Sequence, residues 1–311
     1  MSTLYHQLAA FTISGLTVGA LYALMAFGYT IVYRILGLFN FAHGGVFMIG
    51  TFAALFVAES LGASAGQGIA SAAGTLALML LVAVVIGVTL SVGLEYSIFR
   101  PIRVRKGGAL PALVAGLGAI AVMQEIFGKW KGHYPVPAPQ PVGTDALFTV
   151  FGGGVRPTQL VVFAGALATL FAMQRYVGVS RMGRALRAVG QDANTASLMG
   201  IDVQRVILLS FLLAGITAGV AGALSNVYFA STWYFSGFAM GIKGLTAALL
   251  GGMGSVGGAI AGGLVLGLAE SYGGAVFGAQ WQDVIAFAAL VIVLVMRPTG
   301  IVGERMATVR A

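Results

Sequence analysis

The residues of this chain that can do chemistry are few, and they stand in or beside long apolar runs: Asn40, His43, Gln124, Glu125, Asn226, Lys243, Glu270 and Asp283. Polar groups in such surroundings are costly, so they serve a pathway or pair with one another. Asn40 and His43 are three apart, which puts them on one face if that stretch is helical. They can hydrogen-bond backbone freed at a kink, line a path, or do both. Glu125, Asn226 and Asp283 lie near run ends, where water solvates them. Glu270 reads as pore-facing or as snorkelling to the surface, and Lys243 as snorkelling. Hydrolytic and metal chemistry find no foothold. His6, His43 and His133 are far apart and Cys is absent. Neither a G-x-x-x-x-G-K-[ST] phosphate loop nor H-E-x-x-H, G-x-S-x-G or a paired-carboxylate arrangement occurs. The expectation is a chain that is not an enzyme, holds no metal, and does not bind ATP in the phosphate-loop mode.

The elements that position these residues follow from composition. Of 311 residues, 59% are hydrophobic, 8% are charged and 47 are Gly. A soluble domain carries about 25% charged residues. The apolar residues form runs: Leu8–Tyr33, Ile35–Ala58, Ile69–Leu94, Ala109–Phe127, Gln159–Val177, Val206–Phe229, Phe238–Leu250, Val256–Tyr272 and Trp281–Met296. Several exceed the roughly 20 residues that carry a helix across a bilayer. These features exclude a soluble enzyme. They predict an all-α polytopic membrane protein, a single transmembrane domain over 1–311, with about eight to nine transmembrane helices including broken or half helices. The first run lacks a small-residue cleavage site and reads as a retained helix. Gly215, Gly219 and Gly222 are spaced as a packing seam.

Twelve of the 17 basic residues fall on three segments: Arg100, Arg103, Arg105 and Lys106; Arg175, Arg181, Arg184, Arg187 and Arg205; and Arg297, Arg305 and Arg310. That is an orientation signal placing all three in the cytoplasm, not a nucleic-acid footprint. The N-terminus then faces outside. So does the link of about 128–158, where Pro135, Pro137, Pro139 and Pro141 favour extended polyproline and Gly152-Gly153-Gly154 a turn. Between Arg205 and Arg297 the crossings must be even in number, which demands a break at Gly251-Gly252-Met253-Gly254-Ser255. Non-helical backbone at membrane depth is tolerated where protein buries it or where it lines a wet cavity. The break is therefore a candidate pathway element. The stretch Gly37 to Gly45 echoes it, either by chance in a glycine-rich chain or as a duplicated half.

The segment of about 180–205 is too polar to cross and too patterned for a flexible loop. Asp192 is placed to cap a short helix, Ala193, Ala196 and Met199 to form its apolar face, and Gly200 to stop it. A short exposed helix with an uncovered apolar face reads as a docking surface. An ordinary amphipathic interfacial helix is the alternative.

Four motifs, in order along nearly the whole chain, resemble the branched-chain amino-acid ABC permeases of the LivH type. Gly28-Tyr29-Thr30-Ile31-Val32-Tyr33 with Asn40-Phe41-Ala42-His43-Gly44 is similar to that family's G-Y-T-x-V-Y … N-F-A-H-G-E signature. Gly183 to Asp202 resembles its G-R-A-x-R-A … D … A-x-x-x-G-I segment. Thr246 to Ala259 resembles its G-G-x-G-S-x-x-G-A element, and Arg297-Pro298-Thr299-Gly300-Ile301 its ending. One departure stands out: the family usually carries Glu where this chain has Gly45.

The resemblance implies an ABC importer permease fold of the LivH and ribose-permease type, rich in broken helices, in the bacterial inner (cytoplasmic) membrane. It implies a second, LivM-like permease, two ATP-binding subunits of LivG and LivF type and a periplasmic substrate-binding protein. The surrounding partner is membrane lipid, with no nucleic acid. No cofactor is expected in this chain, ATP and Mg belonging to the partner subunits. Arg187, Asp192, Ala193, Ala196, Met199, Gly200 and Asp202 would form the ATPase-coupling segment. Asn40, His43, Gly44, Gly45, Gly251, Gly252, Gly254, Ser255 and Glu270 would line the translocation pathway. The implied cargo is a branched-chain, hydrophobic amino acid, with urea, short amides or small carboxylates as the alternative suggested by Gly45. A stand-alone secondary transporter, and a channel or structural membrane subunit, are the readings from other classes.

Overall fold

The computed structural model describes residues 2–143, 145–150, 153–297 and 300–301, without the side chains of 2–7 and 150. Gly152, Pro298, Thr299, Arg305 and Arg310 lie outside the described residues. The helices are α1 (Ser2–Leu36), α2 (Ala42–Ser60), α3 (Ile69–Leu94), α4 (Arg100–Val104), α5 (Ala109–Lys131), α6 (Pro157–Val179), α7 (Arg181–Val189), α8 (Ala193–Leu198), α9 (Val203–Phe229), α10 (Ser236–Gly251), α11 (Val256–Phe277) and α12 (Gln282–Met296). A π-helical turn, Glu95–Phe99, carries α3 directly into α4. Among the described residues, 8 helical stretches are long and apolar enough to cross a membrane. The 16-residue α10 is not one of them.

Burial is uneven in the way lipid requires. Helices α2 and α9 are buried along most of their length, whereas only a minority of the residues of α3, α5, α6 and α12 are buried. Lipid tails are as apolar as leucine, so nothing hydrophobic drives these helices together; close packing does. Glycine supplies it. On α1, Gly15 and Gly19 face Gly263 and Gly267 of α11, and a Cβ at Gly267 would collide with the backbone of both. On α9, a Cβ at Gly215 would stand 2.7 Å from the Gly87 carbonyl of α3, and one at Gly219 would stand 2.5 Å from that of Ala83. Gly222 turns to α2, 2.7 Å from the Phe47 carbonyl by the same measure. The Ser91 hydroxyl adds a bond to the Phe211 carbonyl at 2.7 Å. The seam expected at 215, 219 and 222 is thus split between two partners.

The run Ile35–Ala58 is not one span. Ile35 and Leu36 finish α1, and Gly37, with φ +64, turns the chain while its N–H bonds the Tyr33 carbonyl at 2.8 Å. The link then doubles back along α1, Phe39 stacking on Tyr33 with centroids 5.0 Å apart. When α2 begins, His43 lies against Gly28 and Tyr29, about 12 Å up the axis from Leu36. Asn40 therefore lies in the link and shares no helix face with His43.

The break at Gly252–Ser255 is at a different height. Arg34 Nη1 donates to the Gly254 carbonyl at 3.1 Å, and Gly300 lies against Gly252. Gly190 rests on Arg34, and Arg103 Nη2 donates to Gln204 Oε1 at 3.1 Å. The end of α4, the end of α7, the start of α9, the break and residue 300 thus share one basic end. That is the even number of crossings the parity argument demands. The two Gly-rich breaks are not equivalent places in the bundle.

At the opposite end, the Pro-rich link is not free polyproline. Strand β1 (Val136–Pro137) pairs antiparallel with β4 (Ser231–Thr232), and β2 (Phe148–Val150) pairs with β3 (Gly153–Val155). A two-stranded ribbon tolerates Pro because its outer edge needs no N–H.

The seam gives a direct prediction. Gly219→Val should cost about 1–3 kcal/mol by overpacking against α3 and lower the melting temperature in detergent. Gly118→Ala, where a Cβ meets nothing within 4 Å, should leave it unchanged.

Candidate functional site

The interior around the start of α2 is where sequence and structure meet most closely. His43 is buried, its ring edge-on to Tyr29 at 4.8 Å between centroids. It fits because Gly28 has no side chain: a Cβ there would strike the imidazole and come within 2.9 Å of Thr217 Oγ1 on α9. The Met25 backbone lies within interaction range of the ring. The His43 N–H bonds the Asn40 carbonyl at 3.1 Å, so a backbone bond closes the link onto α2 while Phe39 braces it on Tyr33. Among the described residues, Asn40 Oδ1, both His43 ring nitrogens, Thr30 Oγ1 and Asn226 Oδ1 are buried without a hydrogen-bond partner. Buried polar atoms are rarely left so.

Gly44 backs onto the Gly237 backbone of α10, leaving no room for a side chain. Gly45 faces α5, where a Cβ would stand 2.5 Å from Met123 Sδ, a flexible chain end. Further along α2, Thr51 meets the Thr232 hydroxyl and its carbonyl accepts from Asn226 Nδ2 at 3.3 Å. Asn226 is thus buried inside the bundle and not solvated at a span end.

Glu270 and Lys243 also differ from expectation. Lys243 Nζ does not snorkel: it pairs with Glu270 Oε1 at 3.0 Å and Asp283 Oδ1 at 2.8 Å. Tyr22 donates to Glu270 Oε2 at 2.5 Å, with the ammonium 5.8 Å from its ring centre. An ammonium within apolar surroundings takes a carboxylate when one is in reach, and the α10–α11 hairpin brings Glu270 there. Four helices are tied through this cluster. Gly251, Gly252, Gly254 and Ser255 lie away from it, at the basic end. Gly251 packs on the Gly258 backbone, Gly252 has φ +103 and Gly254 φ +91, and Ser255 caps α11 through the Gly258 N–H at 3.1 Å.

The segment α7–α8 is built as a rigid corner. Ser180 caps α7, accepting from the Gly183 N–H at 2.8 Å, and Gly183 packs on Val177. Arg187 Nη1 closes on the Val177 carbonyl at the end of α6, where the helix dipole favours a cation. Asp192 accepts from the N–H groups of Asn194 and Thr195 at 2.9 and 3.2 Å. The Thr195 hydroxyl, then these N–H groups, hold its carboxyl below the usual carboxylate range. Gly200, φ +83, closes a Schellman turn: Ile201 N–H bonds the Ala196 carbonyl at 3.1 Å and Gly200 N–H that of Ser197 at 3.0 Å. Asp202 caps α9 through Arg205 N–H at 3.2 Å.

The expected apolar face is corrected in one respect. Ala196 is buried against the chain's own body and Ala193 is half-buried. The outward apolar residues are Leu198, 87% exposed, and Met199, 80% exposed. Sequence reasoning missed Leu198 because it expected a regular three-residue stripe, and missed Arg34 because its partners, Gly190 and Gly254, are remote in the chain. Tyr22 and Thr232 were hidden in the same way.

The ion cluster is testable. Lys243→Met strands Glu270 and should cost about 3–5 kcal/mol, read as lost thermal stability in detergent. Glu270→Gln leaves Lys243 with Asp283 and should be milder; the reverse order would refute the cluster as drawn.

A family model described as branched-chain amino acid transport system / permease component matches residues 11–294. The high-affinity branched-chain amino acid transport system permease protein BraD of Pseudomonas aeruginosa is 37% identical, with 98% of each chain covered. The permease protein LivH of the corresponding system in Escherichia coli K12 is 36% identical, with 94% of each covered. A solved chain of a metal-chelate type ABC transporter in an inward-facing conformation gives a TM-score of 0.43 at 14% identity, covering 90% of this chain and 85% of that one. That likeness is too loose to bear on function. With a family match from the first third of α1 to the last turn of α12, this multi-pass membrane chain belongs to the family of branched-chain amino acid transport permease components.

Proposed function

We propose that this chain is a permease subunit of an ATP-driven importer carrying branched-chain, hydrophobic amino acids across the bacterial cytoplasmic membrane. The observation that carries the coupling half of this reading is the α7–α8 corner: capped at both ends, braced on α6 and α9, yet presenting Leu198 and Met199 bare. In water such a pair needs a cover. An ATP-binding subunit fits, since this chain has no phosphate loop of its own. The cargo is taken from the relatives, whose names give branched-chain amino acids.

On this reading the basic end is cytoplasmic. The partners are a LivM-like permease, two ATP-binding subunits of LivG and LivF type, which hold the ATP and Mg, and a periplasmic binding protein. No cofactor resides in this chain, which performs no chemistry itself. The pathway passes the Asn40–Gly45 stretch, where unpartnered polar atoms can exchange bonds with water or cargo. The break at Gly251–Ser255 serves as a hinge at the cytoplasmic end, and Glu270, held by Lys243, fixes the helices beside the path. Because Gly45 stands where the resemblance puts Glu, urea, short amides and small carboxylates are the alternative cargo.

Gly200→Val should disrupt the turn, since a β-branched residue resists positive φ. Leucine uptake is expected to fall while ATP hydrolysis by the assembled complex persists. Gly200→Asn, which tolerates that conformation, should retain coupling. A cysteine placed by Thr195→Cys should react with a membrane-impermeant maleimide in inverted vesicles only. Labelling from outside sealed cells would overturn the assignment of α8.

A further inference from the structure

We propose that the basic end of the bundle seats the phosphate headgroup of an acidic phospholipid, in a cavity between the end of α1, the α3–α4 corner and the start of α5. The cavity has a volume of about 350 Å³. Leu36, Leu38, Phe99 and Ile102 form its apolar wall, and Arg103 and Lys106 supply cations. That lining is amphipathic, as a lipid is: it combines apolar side chains with two cations.

The two cations are held differently. Arg103 is oriented by Glu95, through Nη2 to Oε1 at 2.5 Å, and by Gln204. Its Nε–H is buried and has no partner among the described residues. Lys106 is in no ion pair among the described residues. Its backbone is unusual as well. Gly107 N–H bonds the Ile102 carbonyl at 2.9 Å and Lys106 N–H that of Arg103 at 3.0 Å, a Schellman turn that puts Lys106 at the left-handed position with φ 54. Glycine is the favoured residue there. A lysine kept in a conformation that disfavours it points to a use for its charge.

The depth is also right for a headgroup. Tyr96 is exposed on the outer side of the same helix, with the Arg100 guanidinium 5.4 Å from its ring centre. Tyrosine and arginine gather at the membrane–water boundary. Leu38 belongs to the link that carries Asn40, so a lipid seated here would brace that link from the basic end. This makes membrane composition a natural modulator of the reading above, but the seat itself does not depend on what is transported.

The test uses the full-length chain, purified with the subunits it brings and stripped of lipid in detergent. Dioleoylphosphatidylglycerol, dioleoylphosphatidylcholine and inorganic phosphate are titrated, with binding read by native mass spectrometry and melting temperature. Phosphatidylglycerol is expected to bind in preference to phosphatidylcholine, and inorganic phosphate to raise the melting temperature little. Lys106→Gly suits the turn better than lysine, so the lipid-free chain should be at least as stable, yet its phosphatidylglycerol affinity should fall about fivefold. Unchanged affinity in that variant, or equal binding of phosphatidylcholine, would overturn the seat. A response to inorganic phosphate equal to that of the lipid would make it a small-anion site and overturn the lipid assignment. Should the lipid-free Lys106→Gly chain prove unstable, Ala109→Phe fills the cavity with both cations intact. It must then abolish the preference for phosphatidylglycerol, and a retained preference refutes the proposal.

Discussion

Helices surrounded by lipid gain nothing by hiding apolar surface from one another, so this bundle stands on how closely its backbones approach. Helix α9 is the centre of that arrangement: Gly215 and Gly219 admit α3, and Gly222 admits α2. The α1–α11 pair does the same with two glycines on each side. Dispersion and backbone complementarity across such contacts replace the hydrophobic effect. The rest follows from these seams. His43 has a place inside the bundle only because Gly28 is bare, and α2 starts at that depth only because α10 meets it through Gly44 and Gly237. Even the charged cluster depends on them, since Gly251 packed on Gly258 closes the α10–α11 hairpin that brings Lys243 beside Glu270.

Charged and neutral polar groups are treated in opposite ways within this frame. The buried carboxylates are paired, Glu270 with Lys243 and Glu95 with Arg103. Leaving either alone would strand an ion in a poor dielectric. Several neutral groups of α1, α2, the link before it and α9 are instead left with spare capacity: among the described residues, Thr30, Asn40, His43 and Asn226 each retain a buried atom with no partner. A neutral orphan costs far less than an orphaned charge. The bundle therefore tolerates unsatisfied neutral atoms in its interior, and the link before α2 carries or adjoins two of the groups concerned, Asn40 and His43. That distribution suits a conduit better than an ion-coupled carrier, whose titrating acids would need to be free to change partners.

Local features were readable from the sequence, and contacts between distant segments were not. Asp192 and Gly200 bound a short helix because capping needs only neighbouring residues. The break after Gly251 was forced by counting crossings against Arg205 and Arg297. The small-residue spacing at 215, 219 and 222 announced a seam without naming its partners. By contrast, nothing near Lys243 in the chain announces Glu270 or Asp283, and the run Ile35–Ala58 conceals its break because the doubled-back link is itself apolar. Ala196 faces inward because α8 packs that side against α7 and α9, a contact no local pattern announces. The pairing of Val136–Pro137 with Ser231–Thr232 joins segments almost a hundred residues apart, beyond any periodicity.

Arg34 shows how the rigid and the interrupted parts meet. Its guanidinium holds the Gly254 carbonyl, and Gly190, the residue that closes α7, rests on its side chain and its own carbonyl. A side chain added at Gly190 would press on Arg34 there, so the residue that closes α7 is fitted to the end of α1. The same end of α1 leads through Gly37 into the link bearing Asn40. Displacing α7 therefore bears on Arg34, and through it on both interruptions: directly on the break at Gly252–Ser255, and through the last two residues of α1 and a glycine turn on the link. The glycine seams of α1, α9 and α11 are stiff because backbone faces backbone, with no side chain able to change rotamer between them. Strain delivered at Arg34 must then be taken up where the helices are broken, and one of those two places lies among the unsatisfied polar atoms of the interior.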